Sequence, residues 1–120
     1  MINREIYNIN ASIHFVNLKV NTPKGILFVP TYQILYIRAE NKHSDIYFVD
    51  SKKIKTNHLL KWYVSHLPEC DFYRCHKSFI VNCHCIDYII GYYLIMNGEF
   101  YIPLSRNKKQ YLENLLLNYL

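Results

Sequence analysis

Phe72-Tyr73-Arg74-Cys75-His76-Lys77-Ser78-Phe79-Ile80-Val81-Asn82 sets three kinds of residue side by side. Arg74, His76 and Lys77 carry or share positive charge. Ser78 and Asn82 are compact polar groups suited to turns and caps. Phe72, Tyr73, Phe79, Ile80 and Val81 are bulky and favour burial. The pattern is a basic tip between two apolar anchors, which is a way to present cations to a polyanion.

The residues around this window bound the answer. At 120 residues the chain is one domain, long enough for a sizeable core. With 51% hydrophobic and 19% charged residues it is globular rather than disordered. A formal charge of +5 favours an acidic partner, although charge alone does not identify one. Twelve tyrosines and only three glycines point to strands carrying large cross-strand side chains. The mixed polar start after Met1 is unlike a signal peptide. The apolar run from Ile86 to Met96 is interrupted by Asp87 and Gly91 and is too short to span a bilayer. These features lead to the expectation of a cytoplasmic protein.

Strand signals dominate the chain order. Residues 1–11 read as a lead-in, and the domain is expected over 12–120. From Ser12 an alternating pattern predicts a strand, with Ile13, Phe15, Asn17 and Lys19 opposite His14, Val16, Leu18 and Val20. A turn at Asn21 to Gly25 leads to a second strand at Ile26 to Val29, closed by Pro30. Ile34 to Ile37 is a short buried strand extended by Arg38-Ala39-Glu40. A polar loop, Asn41-Lys42-His43-Ser44, precedes a strand at Asp45 to Val49, and another follows at Lys53 to Thr56. Lys52, Lys53 and Lys55 read as a solvated hairpin edge protected from further pairing.

Two helices complete the reading. The first starts near Asn57 as N-cap, buries a stripe of Leu59, Leu60, Tyr63, Val64 and Leu67, and stops at Pro68. Trp62 lies off that stripe. Strands at Ile86 to Ile90 and Tyr92 to Met96 break near Gly91. Asn97-Gly98 marks a type I′ hairpin returning through Glu99 to Ile102. The closing helix places Tyr111, Leu112, Leu115, Leu116 and Tyr119 at helical spacing, capped by Ser105 or by an Asn107–Gln110 box.

Metal and catalytic readings compete for the cysteines. Cys70, Cys75, Cys83 and Cys85 cluster with His76 and His84, but no C-x-x-C pair occurs. Cys83 and Cys85 alternate along what reads as extended chain. All four are read as thiols packed as small hydrophobes, with no cofactor. A Cys–His nucleophile at Cys75-His76 is disfavoured because strand neighbours point to opposite faces. No glycine-rich phosphate loop or paired-carboxylate spacing appears, so the chain is not read as an enzyme.

The window Arg74 to Asn82 also resembles the signature of the LytTR family of bacterial DNA-binding domains, roughly Arg-x-His-Arg/Lys-Ser-Phe/Tyr-hydrophobic-Val-Asn. Arg74, His76, Lys77, Ser78, Phe79, Val81 and Asn82 fit it without a gap. The resemblance runs from about Ser12 to Leu120 and takes in Ile34 to Ile37, the Asn-Gly hairpin and the Ser105-Arg106 pair. It implies a mainly β fold: several short antiparallel sheets in a compact stack, with one short mid-chain helix and a C-terminal helix.

The resemblance further implies loops that reach two successive major grooves of double-stranded DNA and the backbone between them. Lys42, His43 and Ser44 stand where the family's first DNA-contacting loop lies. Lys77 occupies the DNA-facing signature position, beside Arg74, His76 and Ser78. Arg106 is the candidate base reader, since a guanidinium bridges guanine O6 and N7. Asn107, Lys108 and Lys109 accompany it. Arg74, Lys108 and Lys109 are assigned to phosphate, which sets register rather than sequence.

Other readings stay open for some of these residues. Arg74 can instead pair with Asp71 or Glu69, and His76 can brace its turn from within. Asn82 is read as structural. Family members often bind promoter direct repeats as two copies and often follow a receiver domain, for which 120 residues leave no room. That leaves a stand-alone regulator, with a sensor or membrane partner, or the output half of a longer protein. The competing function is a basic-faced β interaction module that binds an acidic protein.

Overall fold

The structure is a computed structural model that describes residues 15–118. The lead-in over 1–11, the residues Ser12 to His14 and Tyr119 lie outside the described residues. Ten strands run in order: β1 (Asn17–Thr22), β2 (Gly25–Pro30), β3 (Ile34–Glu40), β4 (His43–Phe48), β5 (Lys53–Thr56), β6 (Phe72–His76), β7 (Phe79–Asn82), β8 (Ile86–Ile90), β9 (Tyr93–Met96) and β10 (Phe100–Pro103). Helix α1 (Leu60–His66) lies between β5 and β6, and helix α2 (Lys109–Leu116) closes the described chain. All pairings are antiparallel, in a β1-β2 hairpin, a central sheet ordered β5-β4-β3-β7-β6 and a smaller sheet ordered β10-β9-β8. This is the mainly β stack with two helices expected from the sequence.

The central sheet is buried on both faces. One face packs Ile34, Ile37, Ile46 and Ile80 against Leu18 and Val20 of β1 and Leu60 and Tyr63 of α1. The other packs Leu35, Tyr36, Cys75 and Val81 against Leu94 and Met96 of β9, Ile102 of β10 and Leu112 of α2. The β3–β4 register shifts between Ile34 and Tyr36. A bulge there lets the consecutive Leu35 and Tyr36 serve one core while Ile34 and Ile37 serve the other. Leu18 and Val20 turn inwards as their alternation predicts, with Asn17 and Lys19 outside, but the strand begins only at Asn17 and Val16, expected on the inward face, is exposed.

Several local expectations are corrected. Ser44 is not in a loop: the turn is confined to Asn41-Lys42, and β4 begins at His43. Asn57 does not cap α1. Its N–H donates to Asn21 O at 2.9 Å, and the neighbouring His58 Nε2 accepts from Asn21 N–H at 3.0 Å, so both tie to β1. The N-cap position is Leu59, without a side-chain bond. Leu59 and Val64 stay exposed while Leu60, Tyr63 and Leu67 are buried, so the α1 stripe is narrower than predicted. Cys83 to Cys85 form a 3-10 turn rather than extended chain, yet both cysteines are buried in the second core. A 3-10 turn at Arg106–Lys108 leads into α2, and neither Ser105 nor Lys108 makes a side-chain capping bond.

The Asn97-Gly98 turn has φ of +50° and +73°, the left-handed pair a type I′ hairpin requires. Gly98 N–H donates to Asp87 Oδ2 at 2.7 Å, which ties this turn to β8.

Candidate nucleic-acid interface

The signature window folds as the β6–β7 hairpin, with Lys77 and Ser78 at its tip. Its two ends differ chemically. At the closed end, Asn82 Nδ2 donates to Ile34 O at 2.9 Å and its Oδ1 accepts from His84 N–H at 3.0 Å. That matches its structural reading.

At the tip, Arg74 Nη2 donates to Lys77 O at 2.6 Å, so the arginine holds its own turn rather than Asp71 or Glu69. Ser78 N–H donates to His76 Nδ1 at 3.1 Å. His76 therefore braces the turn from within and leaves Nε2 as the other ring nitrogen. Burial, with Lys77 and Lys108 nearby, holds this imidazole below its ordinary value and keeps it neutral at pH 7.

The register carries a second loop to the same place. β3 pairs with β7 through Arg38↔Phe79, and Ala39 N–H donates to Ser78 O at 2.8 Å. The Asn41-Lys42 turn that ends β3 thus projects beside the Lys77-Ser78 tip. Asn41 takes φ of +49°, which asparagine tolerates better than most residues. Lys42 is exposed and His43 is half-buried, its Nε2 3.5 Å from Asp45 Oδ1. Ser44 is fully buried. Tyr63 Oη donates to Thr56 Oγ1 at 2.6 Å, Thr56 donates to Ser44 O at 3.1 Å, and the two hydroxyls of Ser44 and Thr56 lie 2.9 Å apart. Ser44 anchors β4 to β5 and has no surface to offer a ligand.

The third segment is fastened to the other side of β6. Ser105 N–H donates to Cys75 O at 2.8 Å, and Lys108 Nζ donates to Arg74 O at 2.9 Å. The chain brings 74–78 and 105–109 together although some thirty residues separate them. Arg106 and Asn107 are exposed, whereas Lys108 and Lys109 are half-buried. Lys108 is thus partly engaged inside the protein, with its ammonium also 5.9 Å from the Tyr73 ring.

Tyr92 escaped the sequence reading. It stands in the β8–β9 turn after Gly91, and its O accepts from Leu104 N–H at 2.9 Å. The Arg106 guanidinium lies 4.4 Å and the Lys109 ammonium 4.8 Å from the Tyr92 ring centre. A cation on an aromatic face is attracted by the ring quadrupole and loses little rotamer freedom on binding. The sequence signal was a tyrosine directly after a turn glycine. Its partners lie fourteen and more residues on, so spacing did not reveal them. Arg38 was also missed: its guanidinium sits 5.8 Å from the Phe79 ring and 3.3 Å from Glu40.

Cys75, Cys83 and Cys85 are buried as expected of small hydrophobes, whereas Cys70 is exposed and departs from that reading. Burial pushes the Cys75 thiol up to about 12, so it is a protonated core group at neutral pH. No group of three or more His, Cys, Asp or Glu placed to hold a metal occurs among the described residues. Nor is any helix there long and apolar enough to cross a membrane.

Comparison with known proteins agrees with this geometry. The LytTr DNA-binding domain family matches residues 24–117. The sensory transduction protein LytT of Bacillus subtilis is 32% identical, over 96% of this chain and 50% of that protein. The transcriptional regulatory protein YpdB of Escherichia coli strain K12 is 27% identical, over 88% of this chain and 46% of that protein. The chain thus spans about half the length of these curated relatives. Among solved structures, the LytTr DNA-binding domain of a putative methyl-accepting/DNA response regulator from Bacillus cereus superposes with a TM-score of 0.69. That pair is 27% identical and covers 83% of this chain and 95% of the other. The signature hairpin, the sheet order and the family match converge: this chain belongs to the LytTR family of DNA-binding domains.

Proposed function

We propose that the chain reads double-stranded DNA sequence-specifically by placing three turns in its grooves. The observation that carries this reading is the convergence of Lys42-His43, Lys77 and Arg106 at one end of the stack, from segments far apart in sequence. Arg106, exposed and steadied on Tyr92, is the base reader, suited to guanine O6 and N7. Lys77 at the exposed hairpin tip reads a base or holds a phosphate. His43, oriented by Asp45, and Lys42 form the outer contact.

Arg74 and Lys108 act mainly by shaping the tip, and add their charge to its field. Lys109 and Asn107 lie beside Arg106, while His76 and Ser78 set the turn. Ser44 is left out of the interface because it is buried. Two copies on direct repeats, and control by a separate sensor or membrane partner, belong to the same reading.

Phosphate neutralisation supplies most of the affinity, and the loop side chains add discrimination. Log affinity for a promoter-like duplex should fall with log salt at about 0.9 per phosphate contacted. Anisotropy titrations at several salt concentrations measure that slope. A flat response would sink the electrostatic account.

A further inference from the structure

A groove of about 720 Å³ runs beside the edge strand β6, between α1 and α2, and its apolar floor lies outside the turns assigned to DNA. Its size falls within the roughly 300–1,000 Å³ typical of small-molecule sites. The floor is apolar, made by Leu67, Phe72 and Ile80 where the core reaches the sheet edge. Val64 and Tyr111 form facing walls and remain 53% and 57% exposed, a large apolar surface for two residues on opposite helices. The helix stripe of α1 is thus wider than its core contact needs, and its surplus faces this groove. Tyr111 is held in place by stacking on Tyr73 at 5.3 Å.

The lining charges are unbalanced. Lys61, Arg74 and Lys108 border the groove against a single acid, Glu69. An apolar trough bordered by cations is complementary to a molecule with an apolar body and one negative group. A long polyanion such as DNA would leave the apolar floor unused, and a neutral hydrophobe would leave the ammonium groups uncompensated.

We infer that this groove binds a small amphipathic carboxylate, an aromatic or branched aliphatic acid with its body on Leu67, Phe72 and Ile80 and its carboxylate towards Lys61 and Lys108. Arg74 and Lys108 border the groove and also steady the hairpin tip, but the apolar floor and Lys61 take no part in the DNA reading, and the inference stands whether or not that reading holds.

The test is an amide NMR titration of the full chain, without DNA, using 4-phenylbutyrate, its uncharged counterpart 4-phenylbutan-1-ol, and acetate. The expected result is a saturable shift centred on Val64, Leu67, Tyr111 and Leu115 with 4-phenylbutyrate. The alcohol should bind about tenfold or more weakly, since a charge-assisted contact is lost, and acetate should not saturate. Lys61→Glu, at an exposed position, should weaken 4-phenylbutyrate by a similar factor and leave the rest of the spectrum intact. Val64→Glu should block the groove in the same way. Equal affinity for acid and alcohol, shifts centred elsewhere, or binding untouched by both substitutions would overturn the assignment.

Discussion

The two ends of the signature hairpin use polar residues in opposite ways. At the Asn82 end the polar groups are inside: Asn82 is 1% exposed and Asp71 fully buried, and His84 Nε2 lies 2.6 Å from Asp71 Oδ1. At the Lys77 end Lys77 is outside, on a turn held by Arg74 Nη2 donating to Lys77 O and by Ser78 N–H donating to His76 Nδ1. Buried polar groups have lost water and must keep their partners, so they fix shape and carry stability. Exposed cations keep their water and contribute little to stability until a phosphate or base displaces it. One eleven-residue window therefore specifies both the frame and what the frame presents.

Substitutions at the two ends should separate these roles. The largest effect is expected for Asn82→Ala, which strands Ile34 O and His84 N–H in the interior. Two lost partners at about 1–3 kcal/mol each put the destabilisation at about 2–6 kcal/mol. Urea unfolding measures it, and the folded fraction should keep its DNA affinity. If stability is unchanged and DNA binding is lost, the contrast between the ends fails.

Arg106→Ala should do the reverse. A loss of about 1–3 kcal/mol is expected on the cognate site, less on random duplex, with unfolding little affected. Equal losses on both DNAs would demote Arg106 to a phosphate contact. Tyr92→Ala should remove the platform for Arg106 and Lys109 and cost about 0.5–1 kcal/mol of affinity. Tyr92→Phe should retain most of it. A phenylalanine variant as weak as alanine would show that the hydroxyl, rather than the ring face, matters.

The smallest effect concerns the far side of α1, where the single tryptophan Trp62 is stacked between His58 at 3.6 Å and His66 at 4.1 Å. Burial, then the neighbouring His66, holds the His58 imidazole below its ordinary value. Its neutral Nε2 accepts the Asn21 N–H, so protonation breaks a tie between α1 and β1. A depressed histidine contributes stability fully above its unfolded value of about 6.5, and the contribution is lost as pH falls through the lower folded value. The urea midpoints of the wild type and His58→Gln should therefore differ most at neutral pH and converge on acidification. Divergence at low pH would reverse the sign.

Much of this was legible in the sequence because it is local. Alternation placed β1, Asn97-Gly98 placed its hairpin, and the signature placed the family. The less legible parts depended on distant partners. Asn57 has the chemistry of a cap, but the backbone of β1 reaches that position first, so the helix starts later. Ser44 sits in a polar run that reads as a loop, and only pairing with Thr56 buries it. The link between Arg106 and Tyr92 crosses from one hairpin turn to the start of α2, a distance that periodicity does not encode. Candidate side chains could be named from the sequence, but which were outward-facing and which were braces required the register.

The central claim is that three turns at one end of the stack read a DNA sequence. Selecting bound duplexes from a random pool tests it. Enrichment of a repeated motif is expected, with half-sites about one helical turn apart, roughly 10 base pairs. Arg106→Ala should relax the motif at one position in each repeat. Recovery of a pool without enrichment, from a protein that still binds duplex, would contradict sequence-specific reading.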